Sequence, residues 1–311
     1  MKNSLNTFAL LVFLFSNAQA QETISVKQIA RTSSDLQIDS AIACYTKAIK
    51  DNPNYAEAYT FRGFAKSISD DMDGAIADYS KAIEIDPNYA DSYSKRGRLR
   101  GNVKSDFHGA IADFSIAIKL NPNFYRGYSE RAKFKSELGD NYGAIDDYTK
   151  AMEISPIRSL DYYDLYYYRG ELKHKLNDYA GAIADYDEFL ANVTGFWSAA
   201  CYAARGESKQ YLKDDSGAVS DYTKAISLFL AGGGGVVPPY VYLNSASAKQ
   251  SINDFSGAIA DYTKVIMRSP NRAEAYFGRG GAKYYLEDYY GAIADYTSSI
   301  DIEPDNGRFY S

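Results

Sequence analysis

Gly74-Ala75-Ile76-Ala77-Asp78-Tyr79 is the stretch that decides the fold, because versions of it return along the whole chain. The Ala that opens the motif recurs as Ala41, Ala75, Ala110, Ala144, Ala182, Ala218, Ala258 and Ala292, at spacings of 34, 35, 34, 38, 36, 40 and 34 residues. Self-similarity at a nearly fixed period of this size marks a repeat architecture. Three residues on stands an Asp in every copy but one, which has Cys44, and next comes an aromatic: Tyr45, Tyr79, Phe114, Tyr148, Tyr186, Tyr222, Tyr262 or Tyr296. An upstream half travels with the motif, and its own Tyr stands sixteen residues before the Ala as Tyr59, Tyr128, Tyr166, Tyr202, Tyr242 and Tyr276, with Tyr93 one residue further away. Fourteen of the thirty Tyr residues thereby fall at two repeat positions, which accounts for much of an unusual Tyr content.

Each half reads as a helix. Tyr59, Arg62, Gly63 and Lys66 fall on one face at i, i+3, i+4 and i+7, and Ala75, Tyr79, Ala82 and Ile83 follow similar spacing. The turn between the halves holds Asp71-Met72-Asp73-Gly74, and its Gly returns as Gly109, Gly143, Gly181, Gly217, Gly257 and Gly291. Pro53, Pro87, Pro122, Pro156, Pro270 and Pro304 close second helices, since the residue before a Pro leaves the helical region.

A helix-turn-helix of 34 residues with Tyr, a small residue, Ala, an aromatic, Ala and Pro at fixed offsets resembles the tetratricopeptide repeat (TPR). The resemblance implies an all-α, right-handed superhelical solenoid of helix-turn-helix repeats, seven full and one degenerate. The expected organisation is a signal peptide at 1–20, a degenerate first repeat at 21–55 and a repeat region at 56–311. Its repeats lie near 56–89, 90–124, 125–158, 163–196, 199–232, 239–272 and 273–306. One copy cannot bury its apolar face alone, so copies must stack. Gly63 with Ala75, and Gly280 with Ala292, are the small pairs expected to let paired helices approach closely. Ser299, where earlier copies have Ala, is expected to make the terminal face partly polar.

The chain departs from the family pattern in its first helices. Where a large apolar residue is usual it has Arg62, Arg96, Arg131, Arg169, Arg205 and Arg279, interrupted by Ser245 alone. A charge at a helix contact is costly unless paired. The available partners are the repeated Asp78, Asp113, Asp147, Asp185, Asp221 and Asp295, and an Arg–Asp ladder within or between neighbouring repeats is expected. The alternative is that the Arg heads reach water and the Asp residues are merely solvated. Insertions fall near 159–162, at Trp197 and Ser198, and at 233–238, where a Gly-rich loop is closed by Pro.

Composition bounds function. Lys and Arg number 34 against 40 Asp and Glu, and a surface of that sign repels nucleic acid. Two His and two Cys residues leave little for metal chemistry, a disulfide scaffold or a thiol nucleophile. Ser69, Asp71 and Asp73 resemble a calcium loop, but Ser80 stands where its closing Glu belongs. Gly232 to Gly235 lack the Lys-Ser/Thr of a phosphate-binding loop. No enzyme, cofactor or metal is expected. At the amino terminus Lys2, an apolar run from Phe8 to Phe15 and Ala18-Gln19-Ala20 form a secretory signal pattern with cleavage before Gln21, so a periplasmic or secreted product is expected.

The resemblance implies that ligands bind in a concave groove lined by first-helix side chains near the first-helix Tyr. Carried over, the candidates are Thr60, Phe64, Arg98, Arg126, Lys133, Tyr167, Glu171, His174, Glu207, Gln210, Leu243, Phe277 and Tyr284. The third copy contributes basic groups, the next two acids, and the last aromatics, which fits an extended segment with an acidic part and an apolar end. The expected function is an exported, non-catalytic scaffold for a protein or peptide partner. The alternative is a self-assembling solenoid or an accessory subunit of a larger exported complex. The residue two after each first-helix Tyr, Asn244 alone excepted, is not the Asn of carboxylate-clamp members, so that mode of binding is not expected.

Overall fold

The computed structural model describes residues 34–156, 160–232 and 236–305. The expected signal peptide, the first half of the degenerate repeat and the Gly233–Gly235 part of the inserted loop lie outside these residues. Among the described residues the chain is all-α: fifteen α-helices and one short 3₁₀ turn, with no strand. In chain order the helices are α1 (Ser34–Asp51), α2 (Ala56–Ile68), α3 (Met72–Ile85), α4 (Ala90–Lys104), α5 (Phe107–Leu120), α6 (Tyr125–Glu137), α7 (Asn141–Ile154) and α8 (Leu160–Lys175). They continue as α9 (Tyr179–Asn192), α10 (Ala199–Tyr211), α11 (Asp215–Ala231), α12 (Pro239–Ser251), α13 (Phe255–Arg268), α14 (Ala273–Tyr285) and α15 (Tyr289–Ile302). The chain divides into two units, one up to Phe134 and one from Lys135, so the boundary falls inside α6.

In each unit, helices adjacent in sequence pack against each other, so α2/α3 and α4/α5 form hairpins in the first, and α8/α9, α10/α11, α12/α13 and α14/α15 in the second. Local chemistry sets every hairpin turn. Asp71, Asp106, Asp140, Asp178, Asp214, Asp254 and Asp288 cap the second helices, each accepting the backbone N–H of the Gly three residues later at 2.9–3.0 Å. The residue before each cap is left-handed. Asp70, Ser105, Asn177, Lys213, Asn253 and Glu287 have φ between 55° and 69°, and Gly139 has φ 82°. Only the last is the glycine that such a conformation favours.

The core of each hairpin is small residues against one aromatic. Ala75, Ala110, Ala144, Ala182, Ala218 and Ala258 are fully buried, and the aromatic four residues later is buried beside each. Gly63 and Gly280 permit the close approach, for a Cβ on Gly63 would stand 3.1 Å from the Ala75 carbonyl oxygen and 2.9 Å from the Tyr79 ring. At Gly280 the corresponding distances are 3.3 Å to the Ala292 oxygen and 2.9 Å to Tyr296. The insertion at Trp197 is a 3₁₀ turn, Gly195–Ser198, which sets Phe196 edge-on to Phe229 at 5.9 Å and leaves Trp197 exposed.

Ser299 does not polarise the terminal face. It is fully buried and donates its hydroxyl to the Tyr296 carbonyl at 2.8 Å, because its position points into the α14/α15 hairpin.

Candidate binding face

The first helices carry two sets of polar groups with different fates. The first set is spent inside the hairpins. Arg169 on α8 grips Asp185 on α9 with Nε to Oδ2 at 2.9 Å and Nη2 to Oδ1 at 2.6 Å. The same fork joins Arg62 to Asp78, Arg96 to Asp113, Arg205 to Asp221 and Arg279 to Asp295. These Asp residues are buried, and two-point contact with a guanidinium is the strongest arrangement open to them. A second cation sits one turn beyond each Arg: Lys66, Arg100, Lys173, Lys209 and Lys283 reach the same carboxylates at 2.8–3.0 Å. The sequence reading missed these partners, although a basic residue four places after each Arg was the available signal.

The remaining guanidinium nitrogen reaches the preceding hairpin. Nη1 of Arg62, Arg96, Arg131, Arg169 and Arg279 donates to the hydroxyl of Thr46, Ser80, Ser115, Thr149 and Thr263 at 2.9–3.3 Å, and Arg205 uses the Asp187 carboxylate at 2.6 Å. Each of these Arg side chains also lies over the Tyr three residues before it, at 5.3–5.8 Å. Asp147 is bonded by Lys135 at 2.9 Å in the second unit. Where Ser245 breaks the series, it donates to Asp261 at 2.8 Å beside Lys249, and the vacated Tyr242 face is taken by Lys264 at 4.8 Å and Arg268 at 5.3 Å.

The second set is the candidate lining, and the structure separates its members. Thr60 is excluded: it is fully buried and hydrogen-bonded to Ser92 at 2.6 Å, because the residue after the first-helix Tyr faces the neighbouring helix in this copy. Leu243 packs against the core of the second unit. Among the basic candidates, Arg98 pairs with Glu130 at 3.4 Å, Lys133 donates to Asn102 at 2.8 Å, and Arg126 bonds the Tyr125 hydroxyl at 3.0 Å. Phe64 is half-buried under the Lys95 ammonium at 4.7 Å.

In the second unit, Tyr167 donates to Glu171 at 2.7 Å, with its ring against Tyr186 and Phe189. Desolvation raises the Glu171 carboxyl above its ordinary value, opposed by that hydrogen bond and by the charge of His174. Burial, then the charge of Glu171, pushes the Tyr167 phenol up, so it stays a donor. His174 Nδ1 lies 2.8 Å from the Ser208 hydroxyl and its ring meets Tyr179 and Tyr211 edge-on. Gln210 accepts from the Tyr222 hydroxyl at 2.7 Å. Glu207, five residues after its Tyr as Glu171 is, has no salt bridge or hydrogen bond among the described residues and acts through its charge on the neighbouring phenols Tyr179, Tyr186, Tyr222 and Tyr240. Phe277 rests on Tyr296 at 5.4 Å, and Tyr284 is exposed beside Tyr289.

Among the described residues no group of His, Cys, Asp and Glu could hold a metal ion, and Cys44 and Cys201 are free. Burial raises the Cys201 thiol, which weakens it as a nucleophile. No described helix is long and apolar enough to cross a membrane.

Helix hairpins at a period near 34 residues, joined through their second helices to the next first helix, define an all-α repeat solenoid. A family model described as TPR repeat matches residues 70–102, and solved TPR proteins share the fold of the chain. The C-terminal part of a TPR repeat-containing protein from Cytophaga hutchinsonii aligns with a TM-score of 0.60 and 18% identity over 82% of this chain and 98% of its own. A tetratricopeptide repeat protein from Parabacteroides merdae aligns with a TM-score of 0.55 and 18% identity over 82% and 96%. YrrB, a TPR protein with an unusual peptide-binding site, aligns with a TM-score of 0.54 and 19% identity over 63% and 95%. At these identities the likeness is one of fold. No curated protein matches the chain.

Proposed function

We propose that this protein is a non-catalytic scaffold that binds a protein or peptide along the first-helix face of its second unit, and that it works outside the cytosol after loss of residues 1–20. The observation that carries the reading is the contrast between spent and unspent charge. The Arg–Asp–Lys groups are consumed inside the hairpins, whereas Glu171 and Glu207, at one offset on successive first helices, have no salt bridge from Lys or Arg among the described residues; Glu171 accepts from Tyr167 and feels the charge of His174. Around them stand Tyr167, Tyr168 and Tyr240, so the face offers aromatic area with acceptors. The second unit carries 17 Lys and Arg against 25 Asp and Glu, which favours a segment with basic side chains over the acidic one suggested by Arg98, Arg126 and Lys133. The peptide-binding site of YrrB, a protein of like fold, supports a peptide ligand.

The test is capture from the exported fraction by residues 21–311, beside a Glu171→Lys, Glu207→Lys variant of equal thermal stability. A partner held by the parent and lost by the variant supports the reading. An unchanged set of partners refutes it. An amino terminus at Gln21 on the recovered protein checks the export step.

A further inference from the structure

Six joints between hairpins among the described residues are closed by one kind of polar link. The first-helix Arg sends Nη1 back to the residue five places after the Ala of the preceding second helix, which is Thr46, Ser80, Ser115, Thr149, Asp187 or Thr263. The joint between α11 and α12 has no such link. Ser245 stands at the Arg position, and its hydroxyl goes to Asp261 inside its own hairpin at 2.8 Å. Thr223, at the offset of Thr149 and Thr263, is exposed where those two are half-buried. Its hydroxyl donates to the Val219 carbonyl at 2.7 Å, as its counterparts do to theirs, but no guanidinium reaches it.

On either side of this joint the helices are tied. Upstream, Arg169 links α8 to α7 through Thr149, and Arg205 links α10 to α9 through Asp187. Downstream, Ser245 and Lys249 hold α12 to Asp261 of α13, Lys264 and Arg268 of α13 cover the Tyr242 ring, and Arg268 also donates to the Val237 carbonyl just before α12. Arg279 then links α14 to Thr263 of α13. Between α11 and α12 there remain Val219, Tyr222, Val241 and Tyr242, which share one apolar core, and a hydrogen bond from Asn244 to the Tyr222 hydroxyl. An Arg anchored on its own hairpin by two bonds fixes the direction in which the next hairpin is held. Apolar burial is non-directional, so it resists separation of the helices more than a small slide or turn of one over the other.

We propose that the α11/α12 joint is the hinge of the second unit: α7 to α11 move as one body and α12 to α15 as another, turning about the Tyr222–Asn244 contact while the Thr223 edge opens and closes. Glu207 on α10 and Tyr240 on α12 lie on opposite sides of the hinge, so the turn changes the spacing of groups on the candidate binding face. The hinge is independent of the ligand reading, because it is measured with no ligand present.

The test places nitroxide labels nine residues after the repeat Ala, where Glu153, Ala191, Ser227 and Met267 are all exposed. The background is Cys44→Ser, because that thiol is exposed as well. Pulsed dipolar spectroscopy of the full chain compares the pair Ala191→Cys with Met267→Cys, which spans the hinge, and the pair Glu153→Cys with Ser227→Cys, which spans as many repeats through linked joints only. Expected is a broader distance distribution for the first pair, narrowed to the width of the second by Ser245→Arg. Asp187→Ala, which removes the α9/α10 link from an exposed side chain and leaves Asp221 with its partners, should broaden the second pair. Equal widths for the two pairs overturn the proposal, as does a folded Ser245→Arg chain whose first pair stays broad. An unchanged second pair in Asp187→Ala overturns it too, and that comparison decides the matter if Ser245→Arg fails to fold.

Discussion

In Asp185→Ala, Arg169 and Lys173 lose the carboxylate they share, and the size of the loss follows from the geometry. Three charge-assisted hydrogen bonds disappear, at 2.9, 2.6 and 2.8 Å. Breaking a buried ion pair by removing one partner costs about 3–5 kcal/mol, most of it from the charge left behind. Here the stranded side chains are 16% and 20% exposed, so both heads can turn partly to water, which places the expected cost near the lower end, about 3 kcal/mol. The assay is urea unfolding of the full chain with amide hydrogen exchange resolved on α8 and α9, because a repeat array need not unfold all at once. Exchange should accelerate most in that hairpin and in α7, whose Thr149 loses a well-placed donor if Arg169 moves. Replacing both partners, Arg169→Met with Asp185→Leu, should cost less than Asp185→Ala alone, since no charge is stranded. A cost below about 1 kcal/mol for Asp185→Ala, the range of exposed pairs, would refute the claim that the ladder holds the hairpins together.

Gly280→Leu should destabilise the α14/α15 hairpin by at least about 1–3 kcal/mol, seen as faster exchange there, because even a Cβ would stand 2.9 Å from the Tyr296 ring and 3.3 Å from the Ala292 oxygen. Lys213→Gly should raise the urea midpoint, since Lys213 holds φ 65° before the Asp214 cap and a left-handed residue other than glycine costs about 1–2 kcal/mol, part of which returns as unfolded-chain entropy; a lowered midpoint would contradict this. Burial by itself raises the Asp295 carboxyl, but hydrogen bonds from Arg279 and Lys283 outweigh it and hold the folded pKa below its ordinary value. The unfolded chain therefore takes up this proton first on acidification, so the contribution is full above the unfolded value of about 3.9 and fades as pH falls through the folded one. Asp295→Asn should be less stable than the parent at neutral pH, with the gap closing in acid; a gap independent of pH would count against the pairing.

The period was legible because each position of a hairpin meets the same surroundings in every copy. The Asp of Ala-Ile-x-Asp-Tyr recurs since the paired first helix brings Arg, Lys or both onto it, and Gly63 and Gly280 stand where a Cβ would strike the facing ring. The second cation was less visible: Lys66 or Lys173 looks like an ordinary solvated side chain until a neighbouring helix brings an Asp beneath it. The left-handed residue before each cap was illegible, because Asp, Ser, Asn, Lys and Glu occupy it and only Gly139 carries the signal.

Thr60 and Ser299 mark the limit from the other side. Both were read as surface by offset and hydroxyl chemistry, and both are buried, because exposure depends on the distance to the next helix and not on residue type. Likewise Arg98 and Lys133 offer charge in the sequence, yet Glu130 and Asn102 already engage them, while Glu207 is left without such a partner. The sequence by itself determined the helices, their pairing and the repeat, since these follow from periodicity and local turn chemistry. Only the tertiary structure decided which polar groups are consumed in holding hairpins together and which stay free to meet another molecule, because that depends on distances between residues far apart in the chain.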